Sequence, residues 1–295
     1  MNERAAILIF GPTASGKSKT ALELSKNIDS IIINTDSLQV YKDLQILTSR
    51  PSTEDQKNVP HKLYGTQDGK SQYTVANWIK HACAEIELSF QEKKTPILVG
   101  GTGLYFKALE EGLAEIPDIE QSVIDSTNKI INEHGINYLF NELLKKNPNC
   151  TISSNDKNRI IRAYNVLMFT GEPIDKWQIN TKPIIRNIKY HKFLINSERE
   201  DLYTSAERRF DKMIEEGAVD EVKKLNSFNH DKESTIMKAI GVREINEFFL
   251  GNVTLSEAIA LAKQKTRNYI KRQQTWIKSN NISWNRSFKK LMKSF

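Results

Sequence analysis

The stretch Ala5-Ala6-Ile7-Leu8-Ile9-Phe10-Gly11-Pro12-Thr13-Ala14-Ser15-Gly16-Lys17-Ser18 decides the fold. Its first six residues are apolar without alternation, which predicts a buried strand, and the spacing from Lys17 to Lys26 predicts a helix. Between them, Gly11 to Ser18 satisfies G-x-x-x-x-G-K-[ST] at every position. Small residues there let successive backbone N–H groups wrap a phosphate at a helix N-terminus, where the helix dipole adds to the hydrogen bonds. Lys17 supplies a point charge to the distal phosphate, and the Ser18 hydroxyl is the expected ligand for Mg²⁺. The pattern specifies a diphosphate group without naming what it is attached to.

Working outward, Ser30–Asn34, Pro96–Gly100 and Ile188–Ile195 also read as strands, and Val75–Gln91 has helical spacing. Strands alternating with helices predict an α/β fold, a parallel sheet covered by helices whose ligand edge is the carboxyl end of the strands. Past Pro117 the pattern becomes helical, with apolar stripes over Asp118–His134, Ile136–Lys146 and Asn155–Phe169. Residues 116–187 are therefore expected to form a helical insertion between a first core segment, 1–115, and a completing segment, 188–295. Ser197-Glu198-Arg199-Glu200 and Thr254-Leu255-Ser256-Glu257 read as capping boxes, the second opening a helix expected to end near Ser279.

Asp36 follows the second strand, in Ile31-Ile32-Ile33-Asn34-Thr35-Asp36-Ser37. A carboxylate there can hold Mg²⁺, accept a proton from an attacking group, or cap a helix. The third strand ends in Gly100-Gly101-Thr102-Gly103, where a motor NTPase would carry an acid. Such a loop lets another backbone approach closely. Thr102 is a candidate for contact with the accepting group, with a helix N-cap as the alternative.

The 43 Lys and Arg residues and 36 Asp and Glu residues are unevenly spread: Glu257 is the last acid, and ten cations follow it. A slightly acidic body with a basic C-terminal segment implies a polyanionic partner. Lys263, Arg267 and Lys271 recur every four residues, so they share a helix face, with Lys278 two turns beyond. That face is expected to meet phosphates, with a solvated face as the alternative. For Arg286 to Lys293, a loose end and a further contact stay equally open. Trp276 and Trp284 are candidates for base stacking, although core burial is the stronger expectation for Trp276. Cys83 and Cys150 stand far apart with no paired spacing, which excludes a disulfide scaffold and a zinc site. No apolar run is long enough to span a bilayer, and Ala5–Phe10 is too short for a signal peptide. A reducing cytoplasm is expected.

Gly11–Ser18, Asp36-Ser37-Leu38-Gln39-Val40-Tyr41, Pro60-His61, Leu98–Tyr105 and Asn155-Asp156 with Arg159–Ala163, taken together, resemble the tRNA dimethylallyltransferase family. Further along stand Phe210-Asp211 with Gly217, Asp220-Glu221-Val222, Ala239-Ile240-Gly241, Thr266-Arg267, Lys271-Arg272-Gln273 and Thr275-Trp276. The resemblance runs from about residue 5 to 278 and is far more specific than the phosphate loop alone. It departs from the usual family pattern at Leu47–Pro51, where Arg50 replaces a lysine, and at Lys62 and Val242.

The resemblance implies a fold similar to P-loop kinases, with an insertion that clasps the anticodon stem-loop. It implies transfer of the dimethylallyl group of dimethylallyl diphosphate to N6 of adenosine 37 in tRNA. The loop Gly11, Pro12, Thr13, Ala14, Ser15, Gly16, Lys17 and Ser18 then holds the prenyl diphosphate rather than ATP. By the same resemblance Asp36 accepts the proton of the amine, Thr102 steers the reacting groups, and Arg208 or Arg209 helps Lys17 with the leaving diphosphate. Expected tRNA contacts are Asp36, Ser37, Leu38, Gln39, Thr102, Asn158, Arg159, Arg162, Arg243, Arg267 and Lys271. Mg²⁺ is the expected cofactor, and a monomer suffices for one tRNA. Competing expectations are an adenylate isopentenyltransferase using free nucleotides, a small-molecule kinase, and a non-catalytic RNA-binding protein. The insertion and basic helix count against the first, the acid-free third strand against the second, and Asp36 with Lys17-Ser18 against the third.

Overall fold

The structure, a computed structural model, describes residues 4–179 and 181–285. By internal packing the chain divides into two compact units, residues up to 109 together with those from 185 onward, and residues 110–184. The first unit opens with β1 (Ala5–Phe10), α1 (Lys17–Ser25), β2 (Ser30–Asn34), α2 (Thr53–Asn58), β3 (His61–Lys62), α3 (Val75–Gln91) and β4 (Thr95–Gly100). Next comes α4 (Gly103–Glu111), whose last two residues fall in the second unit.

The described strands form one parallel sheet in the order β3-β2-β4-β1-β5, with β5 at Lys189–Leu194. Ile97 of β4 is in register with both Ile7 of β1 and Ile32 of β2. In-register β-branched residues give one flat apolar face, and Ala21 and Leu24 of α1 pack on it with Ile9 and Val99. The apolar continuity of β1 has the same cause: helices cover both faces, so every residue from Ala6 to Phe10 is buried.

In the second unit α5 (Gln121–His134), α6 (Ile136–Lys146), α7 (Lys157–Thr170) and α8 (Ile174–Ile179) surround a core of Leu139, Leu143, Ile160, Ala163, Tyr164 and Leu167. Asp156 caps α7 by accepting a hydrogen bond from the Arg159 N–H at 3.2 Å.

The first unit is completed by α9 (Arg199–Glu215), α10 (Ala218–Ser227), a 3₁₀ turn (Ile236–Lys238), α11 (Val242–Phe249) and α12 (Leu255–Ser279). The box expected at Thr254–Glu257 is formed, with the Thr254 side chain accepting from the Glu257 N–H. The box expected at Ser197–Glu200 is not. Helix α9 starts at Arg199, and its N-cap, Glu198, makes no side-chain bond. The segment is tied sideways instead: Arg199 Nε donates to Gln274 Oε1 at 3.0 Å, and Gln274 Nε2 reaches the Ser197 carbonyl at 3.5 Å. Elements α2, α8 and β3 were not anticipated. They run from two to six residues, too short to show a period. Among the described residues no helix is long and apolar enough to cross a membrane.

Candidate active site

Three chain segments leave the carboxyl ends of adjacent strands β1, β4 and β2 and meet: the loop 11–16, the loop 100–102 and the turn 35–39. Gly16, in the left-handed region at φ 89°, leads into α1, which has no side-chain cap and no acid in its first turn. Its leading N–H groups therefore lack a side-chain acceptor, which is the condition for cradling an anion. The Ser15 hydroxyl is buried with no hydrogen-bond partner among the described residues, and Lys17 Nζ donates to the Pro12 carbonyl at 2.5 Å.

Burial draws the Lys17 ammonium down from its ordinary value to about 7; Asp36 opposes the shift and Arg209 adds to it. Arg209, on α9, donates from Nη2 to Thr13 Oγ1 at 3.2 Å, whereas Arg208 is exposed. Of the two expected arginines, α9 thus turns Arg209 toward the loop. Burial also lowers the Arg209 guanidinium from its usual range, against the pull of Asp36. The site places two cations and one carboxylate within each other's electrostatic reach.

Asp36 caps no helix, the next one being α2 at Thr53, and its carboxylate serves the local backbone instead. Its Oδ1 accepts from the N–H groups of Leu38 at 2.9 Å and Gln39 at 3.4 Å, closing a turn. Its Oδ2 has no hydrogen-bond partner among the described residues, so one oxygen remains for chemistry while the other fixes direction. Asn34, fully buried at the end of β2, sets the backbone: its Oδ1 accepts from the Asp36 N–H at 2.8 Å and its Nδ2 donates to the Asp36 carbonyl at 2.9 Å. Burial raises the phenols of Tyr64, Tyr105 and Tyr269, and the Asp36 charge adds to each shift. The carboxylate thus acts electrostatically on three phenols that burial keeps neutral.

The glycine loop allows the close approach expected of it. A Cβ on Gly100 would lie 2.0 Å from the Thr35 carbonyl oxygen. The Thr102 N–H then donates to that carbonyl at 3.3 Å, and Thr102 Oγ1 accepts from the Ser37 N–H at 3.2 Å. The hydroxyl thus faces the Asp36 turn rather than the start of α4, which favours the site over the N-cap reading.

Other expected contact residues divide. Ser37 and Leu38 are half-buried beside Asp36. Gln39 uses its amide internally, donating to the carbonyls of Thr48 at 2.8 Å and Ser49 at 3.1 Å. Arg50 is also turned inward, donating to the Gln45 side chain at 2.5 Å and the Tyr41 carbonyl at 2.8 Å. Asn158, Arg159 and Arg162 lie exposed on α7 in the second unit, Arg159 with Asp156 at 3.3 Å. Arg243, on α11, is exposed and 3.5 Å from Glu233.

On α12, Lys263 pairs with Asp211 at 2.6 Å and Arg267 pairs with Glu207. Half of the expected phosphate-facing stripe is therefore engaged by acids of α9. Lys271 is exposed and has no ion-pair partner among the described residues. Trp276 and Trp284 both pack edge-on against Phe10, at 5.5 and 5.8 Å. Arg286 to Lys293 lie outside the described residues.

Sequence reading assigned no role to Asn34 or to Gln273. The signal for Asn34 was an amide inside an otherwise apolar strand end. Gln273 stood in the Lys271-Arg272-Gln273 motif of the resemblance, but its role was not legible there, because its partners are 172 and 260 residues away.

A family profile described as IPP transferase matches residues 39–280. A tRNA dimethylallyltransferase of Azorhizobium caulinodans is 41% identical over 284 residues, covering 95% of this chain and 91% of its own. The tRNA dimethylallyltransferase of Pelagibacter ubique is 39% identical, covering 94% and 90%. Among solved structures, the tRNA isopentenylpyrophosphate transferase of Bacillus halodurans superposes with a TM-score of 0.69 at 32% identity, covering 99% of this chain and 94% of that one. A eukaryotic dimethylallyltransferase acting on tRNA superposes with a TM-score of 0.80 at 26% identity, covering 93% and 70%.

Proposed function

The chain belongs to the IPP transferase family, and on that premise we propose how its residues transfer the dimethylallyl group of dimethylallyl diphosphate to N6 of adenosine 37 in tRNA, beside the anticodon. The observation that carries the reading is the juxtaposition of a diphosphate cradle at Gly11–Ser18 with Asp36 and Thr102 at neighbouring strand ends.

The bond that breaks joins the allylic carbon to a diphosphate oxygen, so the leaving group gains negative charge while the carbon becomes cation-like. The uncapped N–H groups of α1, Lys17 and Arg209 stabilise that charge, and fixed donors cost no reorganisation at the moment of reaction. The adenine amine is a weak nucleophile, since its lone pair is shared with the ring. It depends on placement, which Thr102 and the Asp36 turn provide, and on a proton acceptor, which is Asp36 Oδ2. As the new C–N bond forms, the amine proton passes to Asp36 and diphosphate departs. Ser18 fits Mg²⁺, as an exposed hard oxygen donor at the mouth of the cradle, and the ion when bound neutralises charge on the diphosphate.

The target base has to leave its stack to reach the allylic carbon. For the tRNA, Asn158, Arg159 and Arg162 on α7, Arg243 on α11 and Lys271 on α12 supply the exposed polar and cationic contacts. The protein acts as a monomer in a reducing cytoplasm; Cys83 and Cys150 are both free thiols. The test is incubation with labelled dimethylallyl diphosphate and Mg²⁺ in the presence of tRNA, AMP or ATP. Label in tRNA alone is expected, and label in AMP but not tRNA sinks the reading.

A further inference from the structure

Helix α12 carries two consecutive buried glutamines, Gln273 and Gln274. Burying a primary amide costs free energy unless both its ends are bonded. Gln273 meets that condition across two loops that are remote in sequence. Its Oε1 accepts from the Thr13 N–H at 2.9 Å, and its Nε2 donates to the Gly101 carbonyl at 3.0 Å. The backbone donor on one side and the backbone acceptor on the other leave one orientation for the amide. A Cβ on Gly101 would stand 2.6 Å from Nε2, so that glycine is what admits the contact.

What the amide joins are the two halves of the reaction. Thr13 belongs to the diphosphate cradle, and its hydroxyl accepts from Arg209. Gly101 leads directly into Thr102, whose hydroxyl holds the Ser37 N–H in the Asp36 turn. The cradle holds the leaving group, and the Thr102–Asp36 side holds the acceptor. A single amide spans them, carried on a 25-residue helix.

We propose that Gln273 is a positioning residue that sets the distance between the departing diphosphate and the accepting amine. This rests on the reaction proposed above. Gln273 touches neither reacting group; it acts through Thr13 and Gly101. Misplacing reacting atoms by about 1 Å can cost about 100-fold in rate, so the effect belongs in kcat rather than in affinity.

The experiment compares wild type, Gln273→Glu and Gln273→Met by steady-state transfer from labelled dimethylallyl diphosphate to tRNA between pH 6 and 9, with thermal unfolding alongside. The glutamate is isosteric, but when ionised it has no donor for Gly101. When protonated it regains one. Expected for Gln273→Glu near pH 8 is a kcat loss of about 10- to 100-fold with both KM values little changed. The ratio of its kcat to that of wild type should rise as pH falls. Gln273→Met should show the loss without that recovery. Wild-type kcat in either variant overturns the assignment, as does an equal, pH-independent loss in both, which would reduce Gln273 to packing. If wild type itself transfers no label to tRNA, the reaction reading fails first, and that result is distinct from either variant outcome.

Discussion

At the scale of single residues, the proposed mechanism divides the two oxygens of Asp36 between structure and chemistry, and the division can be tested. Asp36→Asn keeps an oxygen for the Leu38 and Gln39 N–H groups while removing the proton acceptor. It should lower kcat by about 10²- to 10⁴-fold with an unchanged unfolding midpoint. Asp36→Ala should lose the rate and also about 1 kcal/mol of stability, since the turn loses its cap. An Asn variant of near wild-type rate removes the general-base role. Lys17 carries a pH dependence. With its free-enzyme value drawn to about 7, it is charged below that pH and neutral above it. Binding an anion favours the charged form. The affinity for dimethylallyl diphosphate should therefore weaken as pH rises through about 7, one proton being taken up on binding above it. Isothermal titration in two buffers of different ionisation enthalpy measures that proton, and none at pH 8 counts against the assignment.

At the scale of elements, the turn behind the Asp36 segment is held by a helix far along the chain. Glu221 of α10 accepts from three successive backbone N–H groups, those of Gln45 at 2.6 Å, Ile46 at 2.8 Å and Leu47 at 2.9 Å. A carboxylate receiving three N–H groups is charge-assisted in each bond. Ile46 and Leu47 then pack beside Phe210, Met213 and Ala262. Glu221→Ala should cost about 2–3 kcal/mol, read by urea unfolding, and speed amide exchange at 45–47; Gln should lose less, since it retains an acceptor. Helices α11 and α12 are linked in a similar way. The Glu244 carboxylate is buried, accepts from the Gly241 N–H at 2.7 Å and pairs with Lys265. Lys265→Ala strands a buried charge and should destabilise by about 3 kcal/mol, without an effect on the salt dependence of tRNA binding.

At the scale of the whole molecule, the described part of the basic C-terminal segment is partly engaged within the fold. Lys263, Lys265 and Arg267 face Asp211, Glu244 and Glu207, so three of its cations are matched by acids elsewhere in the same unit. Of the stripe, Lys271 and Lys278 are exposed without an ion-pair partner among the described residues. Replacing Lys271 by Ala should lower the slope of log affinity for tRNA against log salt by about one, whereas replacing Lys263 or Arg267 should leave it unchanged. A reduced slope for all three would return the whole face to the RNA.

The sequence by itself determined the strand–loop–helix at Ala5–Ser25, the positions of Asp36 and Thr102 at strand ends, and the helices whose stripes run longer than two turns. These follow from local rules: apolar runs, helical period, and a loop pattern whose small residues have one common use. Tertiary structure alone decided which of Arg208 and Arg209 faces the cradle, because one residue of helix rotation separates core from solvent. It also decided that half of the basic stripe is paired with acids within the fold, and that Gln273 and Glu221 hold loops more than 170 residues away. A side chain's identity says what bonds it can make; only the folded chain says which partner is within three ångströms of it.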